Sequence, residues 1–476
     1  MLRSFLVALG FFLVAPQLLG VTANFSGMFR SRANYLQNGN LNEPTVSSTK
    51  TYLDGRALIY PSLVIDDHFA VKSQWSLVDS PYYLPNRTFS GGNGQGGWVY
   101  GDPNAKFMTL SRAWMEWTSD FGVFRLGRVP VAWGYGLVWD AGNGMWDDWQ
   151  STIDRIEYRL HFGHLVSTLA YSKPRKGSLM ASDDDADHYT VSIKYENPEL
   201  DMEFGGLYEK QNRSISQAGA LGGATNGTAT GPGSSNPYAS PYGFGQAPYS
   251  PTRAFPLSSS GLAAPLSDTI LDIYAKKSTG HFTFGGEVTW LSGSATTYPV
   301  STNTLDLNAW GFLFSASYEY HRLKTFLEFL YASGDSDMSN GAMTGFAIMH
   351  RNRRAGILLG RELLGPYNGD TANSGSMFAY GNTGSFSGVY YLRPGLRMDW
   401  SPTWSTGVEV IWAQKAAVQD GEDRSLGLEI DIGTEYSVYK NFDVGLTMAV
   451  LTPGRGLGGT STPTVFGFQT TFGLKF

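Results

Sequence analysis

The sequence predicts an all-β protein: a transmembrane, antiparallel, up-and-down β-barrel of about 18 strands. Two observations carry this prediction. Apolar and polar residues alternate along many segments, which is the period of a strand with one apolar and one polar face. Charged residues make up only 16% of the 476 residues, against about a quarter in soluble proteins. A barrel whose outer face lies in lipid explains both observations, because half of each strand needs no charge.

The alternation assigns a face to each strand residue. Between 310 and 320, one face carries Trp310, Phe312, Phe314, Ala316, Tyr318 and Tyr320, and the other carries Ser315, Ser317 and Glu319. Segment 426–436 repeats the pattern, with Leu428, Ile430 and Ile432 opposite Glu429, Asp431 and Glu435. We expect the apolar faces to lie outward in lipid and the polar faces to line a wet lumen. No repeated motif of a propeller or solenoid is visible, which indicates one domain.

The connections between the predicted strands alternate between short and long. Short turns are predicted at 66–68, 119–122, 163–164, 197–199, 278–280, 321–324, 401–404 and 440–441. Long loops are predicted near 38–50, 80–106, 140–150, 173–187, 214–266, 297–306, 334–386, 416–424 and 453–463. Short periplasmic turns and long extracellular loops are typical of outer-membrane barrels. Eighteen strands place both termini in the periplasm and enclose a lumen too wide for side chains to fill.

The N-terminus has the three parts of a secretory signal peptide. Met1–Arg3 supplies a positive charge, 5–19 is apolar, and Val21–Ala23 supplies small residues for cleavage. We therefore expect a signal peptide over 1–23 and a transmembrane barrel over 24–476. The apolar run is too short for a membrane anchor, and no later stretch reaches the roughly 18 apolar residues of a transmembrane helix.

The composition also limits the chemistry. Cysteine is absent, which excludes disulfides and thiolate metal sites, and the net charge of −6 argues against nucleic acid as a partner. The seven histidines form no zinc-binding pair, and no nucleophile elbow is present. The prediction is therefore that the protein is not an enzyme and needs no cofactor.

The last strand carries a further signal. Phe466, Phe468, Thr470, Phe472, Leu474 and Phe476 fall on one face, while Gln469, Thr471 and Lys475 fall on the other. This pattern resembles the C-terminal signal of bacterial outer-membrane barrels, carried here by Phe468, Phe472, Leu474 and Phe476. The resemblance implies insertion by the barrel-insertion machinery into a Gram-negative outer membrane. Its lipids and lipopolysaccharide would then surround the barrel.

Segment 123–161 is the most distinctive internal stretch. A Leu-Gly-Arg strand at 126–128 runs into a Gly-rich climb at 134–136, and Asp154 stands near the start of the returning strand. This arrangement resembles porin-like and alginate-export-type 18-stranded channels of the Gram-negative outer-membrane porin superfamily. The resemblance implies a channel, without implying the substrate of any one family.

Charged residues on the predicted lumen faces are the candidates for selectivity. They are Arg30, Arg32, Arg112, Glu116, Arg125, Arg155, Glu157, Arg159, Arg393 and Arg397. Arginine offers forked donors that match carboxylate and sugar oxygens, which favours a ladder for a small anionic or carbohydrate solute. Alternatively, these charges pair across strands and only keep the lumen wet. The sequence leaves both interpretations open.

Loop 334–386 is the candidate constriction. Its stretch 346–364 is apolar at both ends with a basic centre, and the spacing over 355–364 predicts a short helix. An extracellular loop this apolar needs something to pack against, so we expect it to fold into the lumen. That fold would bring Arg351, Arg353 and Arg354 near the solute path. The alternative is a surface helix packed on neighbouring loops.

Three other loop features are candidates for a functional role. Loop 214–266 is rich in Gly, Ser, Ala, Pro and Tyr and is predicted to be flexible. Asp183, Asp184, Asp185 and Asp187 form an acidic cluster that suits Ca²⁺ or Mg²⁺, although a solvated charge run is the simpler interpretation. Trp139, Trp146 and Trp149, beside Asp147 and Asp148, are suited either to stacking sugars or to anchoring at the membrane interface.

Two functional hypotheses follow. The first is a passive outer-membrane channel for small hydrophilic solutes, with anions and carbohydrates as the candidate classes and a monomer favoured. The alternative is an adhesin or surface-complex anchor whose extracellular loops carry the function.

Overall fold

The computed structural model describes residues 21–38, 49–83, 109–147, 150–175, 186–213, 266–296, 304–336, 342–345, 355–363, 388–418, 420–457 and 463–476. Several predictions from the sequence lie outside these residues. They concern most of the signal peptide, nearly all of loop 214–266, Asp183 to Asp185, Asp148, Trp149, and Arg351, Arg353 and Arg354.

The described residues form one closed sheet of eighteen strands in which each strand pairs antiparallel with its neighbours. The strands are β1 (Thr22–Gln37), β2 (Thr49–Val64), β3 (Phe69–Tyr83), β4 (Thr109–Ser119), β5 (Gly122–Pro130), β6 (Thr152–Phe162), β7 (Leu165–Arg175), β8 (Ala186–Asn197), β9 (Met202–Arg213), β10 (Leu266–Thr279), β11 (Phe282–Thr296), β12 (Thr304–Tyr320), β13 (Leu323–Ala332), β14 (Val389–Ser401), β15 (Trp404–Lys415), β16 (Ser425–Tyr439), β17 (Phe442–Pro453) and β18 (Val465–Lys475). The short segment Ala342–Met343 pairs in parallel with β12, and Gly356–Leu363 and Arg455–Leu457 are helical. The predicted fold class is confirmed.

The two faces of the sheet differ as the alternation predicts. Outward residues such as Phe29, Trp310 and Ile430 are more than 40% exposed, whereas the inward residue Glu429 is 0% exposed. Exposed apolar side chains therefore surround a barrel whose buried charges face inward, which is the distribution of a membrane barrel. Among the described residues, no helix is long and apolar enough to span a membrane.

Closure joins β1 to β18. Arg30 lies opposite Gly473, and Tyr35 lies opposite Phe468. Beyond the end of β18, Phe476 and Gly27 exchange backbone hydrogen bonds of 3.1 and 2.8 Å. Thr22 and Ala23, which the sequence assigns to the signal peptide, also pair with β2 in this structure. The cleavage site stays a prediction.

Short turns join the strands at one end of the barrel, called here the turn side, and long loops join them at the other, the loop side. At the turn between β2 and β3, the backbone N–H groups of His68 and Phe69 donate to Asp66 at 2.8 and 2.7 Å. These bonds favour the carboxylate form and lower the pKa of Asp66 below its ordinary value. Outer-membrane barrels hold such turns on the periplasmic side.

Apolar side chains fill much of the loop-side half of the lumen. They come from the wall and from two segments that leave it, residues 131–139 and 355–359. Leu137, Leu313, Leu330 and Leu451 in this cluster are all fully buried. A porin-sized barrel therefore contains a packed internal core in its loop-side half.

Candidate functional site

Residues 131–147, called here the inward loop, leave the wall after β5 and lie inside the barrel. The predicted start of this loop, near 140, is wrong. Strand β5 ends at Pro130, and proline cannot donate the next hydrogen bond of the sheet. The chain then forms its own turn, in which the N–H of Trp133 donates to Trp139 O at 2.9 Å.

Acidic side chains of β9, β10 and β11 hold the first half of the inward loop. Each accepts hydrogen bonds from indole or backbone N–H groups of the loop. The bonds run from Trp133 Nε1 to Asp272 Oδ1 at 2.7 Å, from Trp139 Nε1 to Glu209 Oε1 at 2.8 Å, from Leu137 N to Glu287 Oε1 at 3.2 Å, and from Tyr135 N to Glu287 Oε2. The three carboxyl groups are each 1% exposed, so the loop supplies donors that water would otherwise supply.

Arginines of β1, β2 and β4 hold the second half. They donate to backbone carbonyl oxygens of the loop. The bonds run from Arg30 Nη1 to Met145 O at 2.9 Å and Asp147 O at 2.7 Å, from Arg56 Nη1 to Asp147 O at 2.6 Å, and from Arg112 Nη2 to Ala141 O. Arg112 also binds Asn143 Oδ1 and Thr152 Oγ1, at 2.9 and 3.0 Å. The loop thus runs from an acidic part of the wall to a basic part. The carboxylates of the acidic part accept hydrogen bonds from the loop's N–H groups, and the arginines of the basic part donate hydrogen bonds to its carbonyl oxygens.

The described tryptophans of this loop are not surface residues. Trp139 is 2% exposed and lies against the imidazole of His188, with ring centroids 5.9 Å apart. Trp146 is half-buried against Met145, Met28 and Leu58. Their prediction as exposed interface anchors is wrong, because the segment that carries them turns into the lumen. Sugar stacking stays a prediction for Trp146, whose side chain borders the lumen.

A second segment enters from the loop between β13 and β14. The helix Gly356–Leu363 lies within the 355–364 stretch for which the residue spacing predicts one. Its first N–H groups donate to inward carboxylates of β16: Ile357 N to Asp431 Oδ2 at 3.1 Å, Leu358 N to Glu429 Oε1 at 2.8 Å, and Leu359 N to Glu429 Oε2 at 2.6 Å. These donors have no partner within a helix, and a carboxylate is their natural acceptor.

A connected set of charges, called here the basic network, lines the wall from β3 to β6. It consists of Lys72, Glu116, Arg125, Arg155, Glu157 and Arg159. Arg125 Nε lies 2.9 Å from Glu116 Oε1, Arg155 Nη2 lies 2.7 Å from Glu157 Oε2, and Lys72 and Arg159 pair with Glu116 and Glu157. The cations of Lys72, Arg159 and Arg125 are 39%, 32% and 19% exposed, whereas the two carboxylates are 10% and 0% exposed. A solute passing this wall therefore meets the cations.

On the opposite wall of the barrel, the positive and negative side chains are similarly exposed. Arg393 Nε lies 2.8 Å from Glu409 Oε2. On the turn side, Arg397 lies 3.1 Å from both Asp399 Oδ1 and Glu435 Oε2, and these three side chains are each about half exposed. Cations and anions face the lumen equally here.

The ten predicted selectivity residues thus all lie on the inner face, but in different settings. Arg30, Arg32, Arg112 and Arg155 are buried. Of these, Arg30 and Arg112 bind the inward loop, and Arg32 pairs with Asp54 at 2.7 Å. Four anchors of the loop are absent from the predicted set: Arg56, Glu209, Asp272 and Glu287. The alternation predicts that these four side chains point inward, but no sequence pattern indicates a loop inside the barrel for them to bind.

One member of the predicted acidic cluster can be placed. In the acidic cluster, Asp187 accepts from Tyr171 Oη at 2.5 Å and lies 3.2 Å from Lys173 Nζ. The described residues hold no group of three His, Cys, Asp or Glu side chains spaced to bind a metal. The metal site stays a prediction.

One arrangement resembles a hydrolytic triad. Ser172, His188 and Glu209 face inward on neighbouring strands, and His188 Nε2 lies 3.2 Å from Glu209 Oε2. However, the Ser172 hydroxyl forms no hydrogen bond with any described residue, and all three side chains are almost fully buried. The serine is neither activated by the imidazole nor open to a substrate, so this cluster gives no support to hydrolysis.

No family model matches the sequence, and no curated protein matches it either. Solved barrels match the structure. A BenF-like porin from Pseudomonas fluorescens Pf-5 is 12% identical with a TM-score of 0.50, and the match covers 95% of this chain and 98% of the porin. Pseudomonas aeruginosa OpdK, solved with vanillate, and Acinetobacter baumannii OccAB4 are 9% and 8% identical, each with a TM-score of 0.49 and the same coverage.

The likeness to the BenF-like porin shows the fold. The chain has the closed eighteen-stranded architecture of outer-membrane porins. Its exposed apolar outer face is that of a barrel inserted in the outer membrane.

Proposed function

We propose that this barrel is a passive outer-membrane channel for small hydrophilic solutes and that it favours anions over cations. The observation that carries the proposal is the unequal exposure within the basic network. Three of its four cations, Lys72, Arg125 and Arg159, reach the lumen, while Glu116 and Glu157 lie buried behind them. Charges that line a narrow, low-dielectric passage raise the local concentration of the opposite ion. The inward loop, which Arg112 of β4 binds, lies inside the barrel beside this wall.

The test is the reversal potential of the full chain in a planar bilayer under a KCl gradient. The wild-type channel is expected to prefer chloride, and Arg125→Ala and Arg159→Ala are expected to shift the preference toward potassium. Arg128→Ala is the matched control, because Arg128 lies on the outer face of the same strand and pairs with Asp154 at 2.7 Å. A cation-selective wild type, or an equal shift in the control, contradicts the anion preference.

A second candidate function is a surface anchor whose loops carry the activity. It is favoured by the loop-side half of the wall, where inward residues such as Leu307, Val389 and Val465 are buried. A correctly folded barrel that gives no current in the same bilayer would support this candidate and overturn the channel.

A further inference from the structure

A cavity of about 550 Å³ lies at the turn side of the lumen. Strands β14 to β18, the turn between β14 and β15 and the turn between β12 and β13 form its wall, and Trp146 of the inward loop borders it from the lumen. The volume lies within the roughly 300–1,000 Å³ of small-molecule sites.

Trp146 is held in place at this cavity. Its indole packs with Met145 on Met28 and Leu58 of β1 and β2. On β18, a Cβ at Gly473 would lie only 3.3 Å from the indole, so a residue without a side chain lets the ring lie close to the wall. The cavity therefore has one fixed aromatic boundary.

The charges of the cavity are already matched by neighbours. Arg397 bridges Asp399 and Glu435 at 3.1 Å each, and Ser437 donates to Asp443 at 2.7 Å. Arg322 Nη1 donates to the carbonyl of Trp400 at 3.1 Å. A charged ligand would have to compete with these contacts, whereas a neutral hydroxyl group can add to them. A carboxylate has about four lone-pair positions and can accept from an arginine and a ligand hydroxyl together.

We propose that this cavity is a binding site for hydroxylated solutes the size of a sugar, recognised through their hydroxyl groups. The ring of Trp146 would cover the apolar C–H face of the sugar, and Arg397, Asp399 and Glu435 would bind its hydroxyls. The basic network would then attract sugar acids, and this cavity would select them from simple anions. The inference rests on the proposed channel in one respect: the solute reaches the cavity through the lumen.

Equilibrium dialysis of labelled glucose against the full chain, folded in detergent micelles, tests the site without requiring transport. Saturable binding is expected. Trp146→Ala and Glu435→Ala are each expected to weaken it about tenfold, the usual effect of losing one good contact. Trp146→Phe should restore most of the affinity by restoring an aromatic face. Trp412→Ala, which removes an outward ring from β15 of the same wall, should leave binding unchanged.

Competition defines the ligand class. Glucuronate should displace the labelled glucose, whereas acetate, which carries a carboxylate and no hydroxyl, should not. No saturable binding, an unchanged affinity in the folded Trp146→Ala barrel, or displacement by acetate as good as by glucuronate would each overturn the proposal. Folding of each variant is checked by the shift in gel mobility between heated and unheated barrel.

Because the bilayer current is measured separately, a conducting barrel that binds no glucose contradicts this site alone, and a silent barrel that binds glucose contradicts the channel alone.

Discussion

The loop-side and turn-side halves of the lumen carry the same kinds of charged residue and use them differently. Glu287 and Arg112 are buried at the edge of the loop-side half, where their hydrogen bonds go to the inward loop. Arg397 and Glu435, on the turn side, pair with each other and are about half exposed. A charge on the inner face of a barrel is therefore not automatically a charge that a solute meets. Its role depends on what else lies inside.

The largest expected effect comes from removing an acidic anchor. Glu287→Ala would leave the N–H groups of Tyr135 and Leu137 without acceptors in a buried site, at a cost of about 2–4 kcal/mol in the free energy of unfolding. The freed loop would leave the passage, so the bilayer conductance should rise. Urea unfolding and single-channel recording measure the two effects.

Glu319→Ala is the control for this change. Glu319 also faces inward, but on the turn side, where its side chain is 64% exposed and 4.0 Å from Lys324. Neither stability nor conductance should change. If Glu287→Ala behaves like this control, the acidic wall does not hold the loop.

A smaller difference in stability is expected between alanine variants of two arginines on adjacent strands. Arg112→Ala would leave the carbonyl of Ala141 and the side chain of Asn143 without a donor, which should cost about 2–3 kcal/mol. Arg128→Ala breaks a partly exposed ion pair with Asp154, which should cost about 1 kcal/mol or less. The urea midpoints of the two variants in the same detergent measure this gap. Equal midpoints would mean that the buried Arg112 stabilises the barrel no more than the partly exposed Arg128 does.

The smallest effect concerns the helix Gly356–Leu363. A Cβ at Gly467 would lie 2.5 Å from Leu358 Cδ2, so Gly467→Ala should destabilise the barrel by about 1 kcal/mol through overpacking. Adding Leu358→Ala should relieve the clash, and the double variant should lose less stability than the sum of the single variants. Additive losses in urea unfolding would show that this helix does not press on β18 in solution.

Period-two alternation was enough to predict the wall. The faces of segments 310–320 and 426–436 and the turn positions follow from local rules. These features are short-range, since each residue's face depends only on its position along its own strand. The inward position of Arg125 and Arg393 therefore follows from the alternation alone.

The site inside the wall could not be predicted in the same way. The sequence indicated an inward segment at 355–364, where apolar residues cluster, but not at 131–147, where small and aromatic residues mix. Nothing local links Trp139 to Glu209 or Trp133 to Asp272, which are 70 and 139 residues apart. Such pairs arise only when the closed sheet brings distant strands around one segment.

The sequence by itself determined that this chain is a barrel of eighteen strands with an apolar outside and a charged inside, because alternation and turn chemistry are local properties. Tertiary structure alone decided which charges a solute in the lumen can contact. It buried Arg30, Arg112 and Glu287 against the inward loop and left Lys72, Arg159 and Arg397 facing the lumen. The reason is physical: a buried charge must be satisfied by whatever group lies nearest. For Arg30 and Glu287 that group lies in the inward loop, 115 and 150 residues away along the chain.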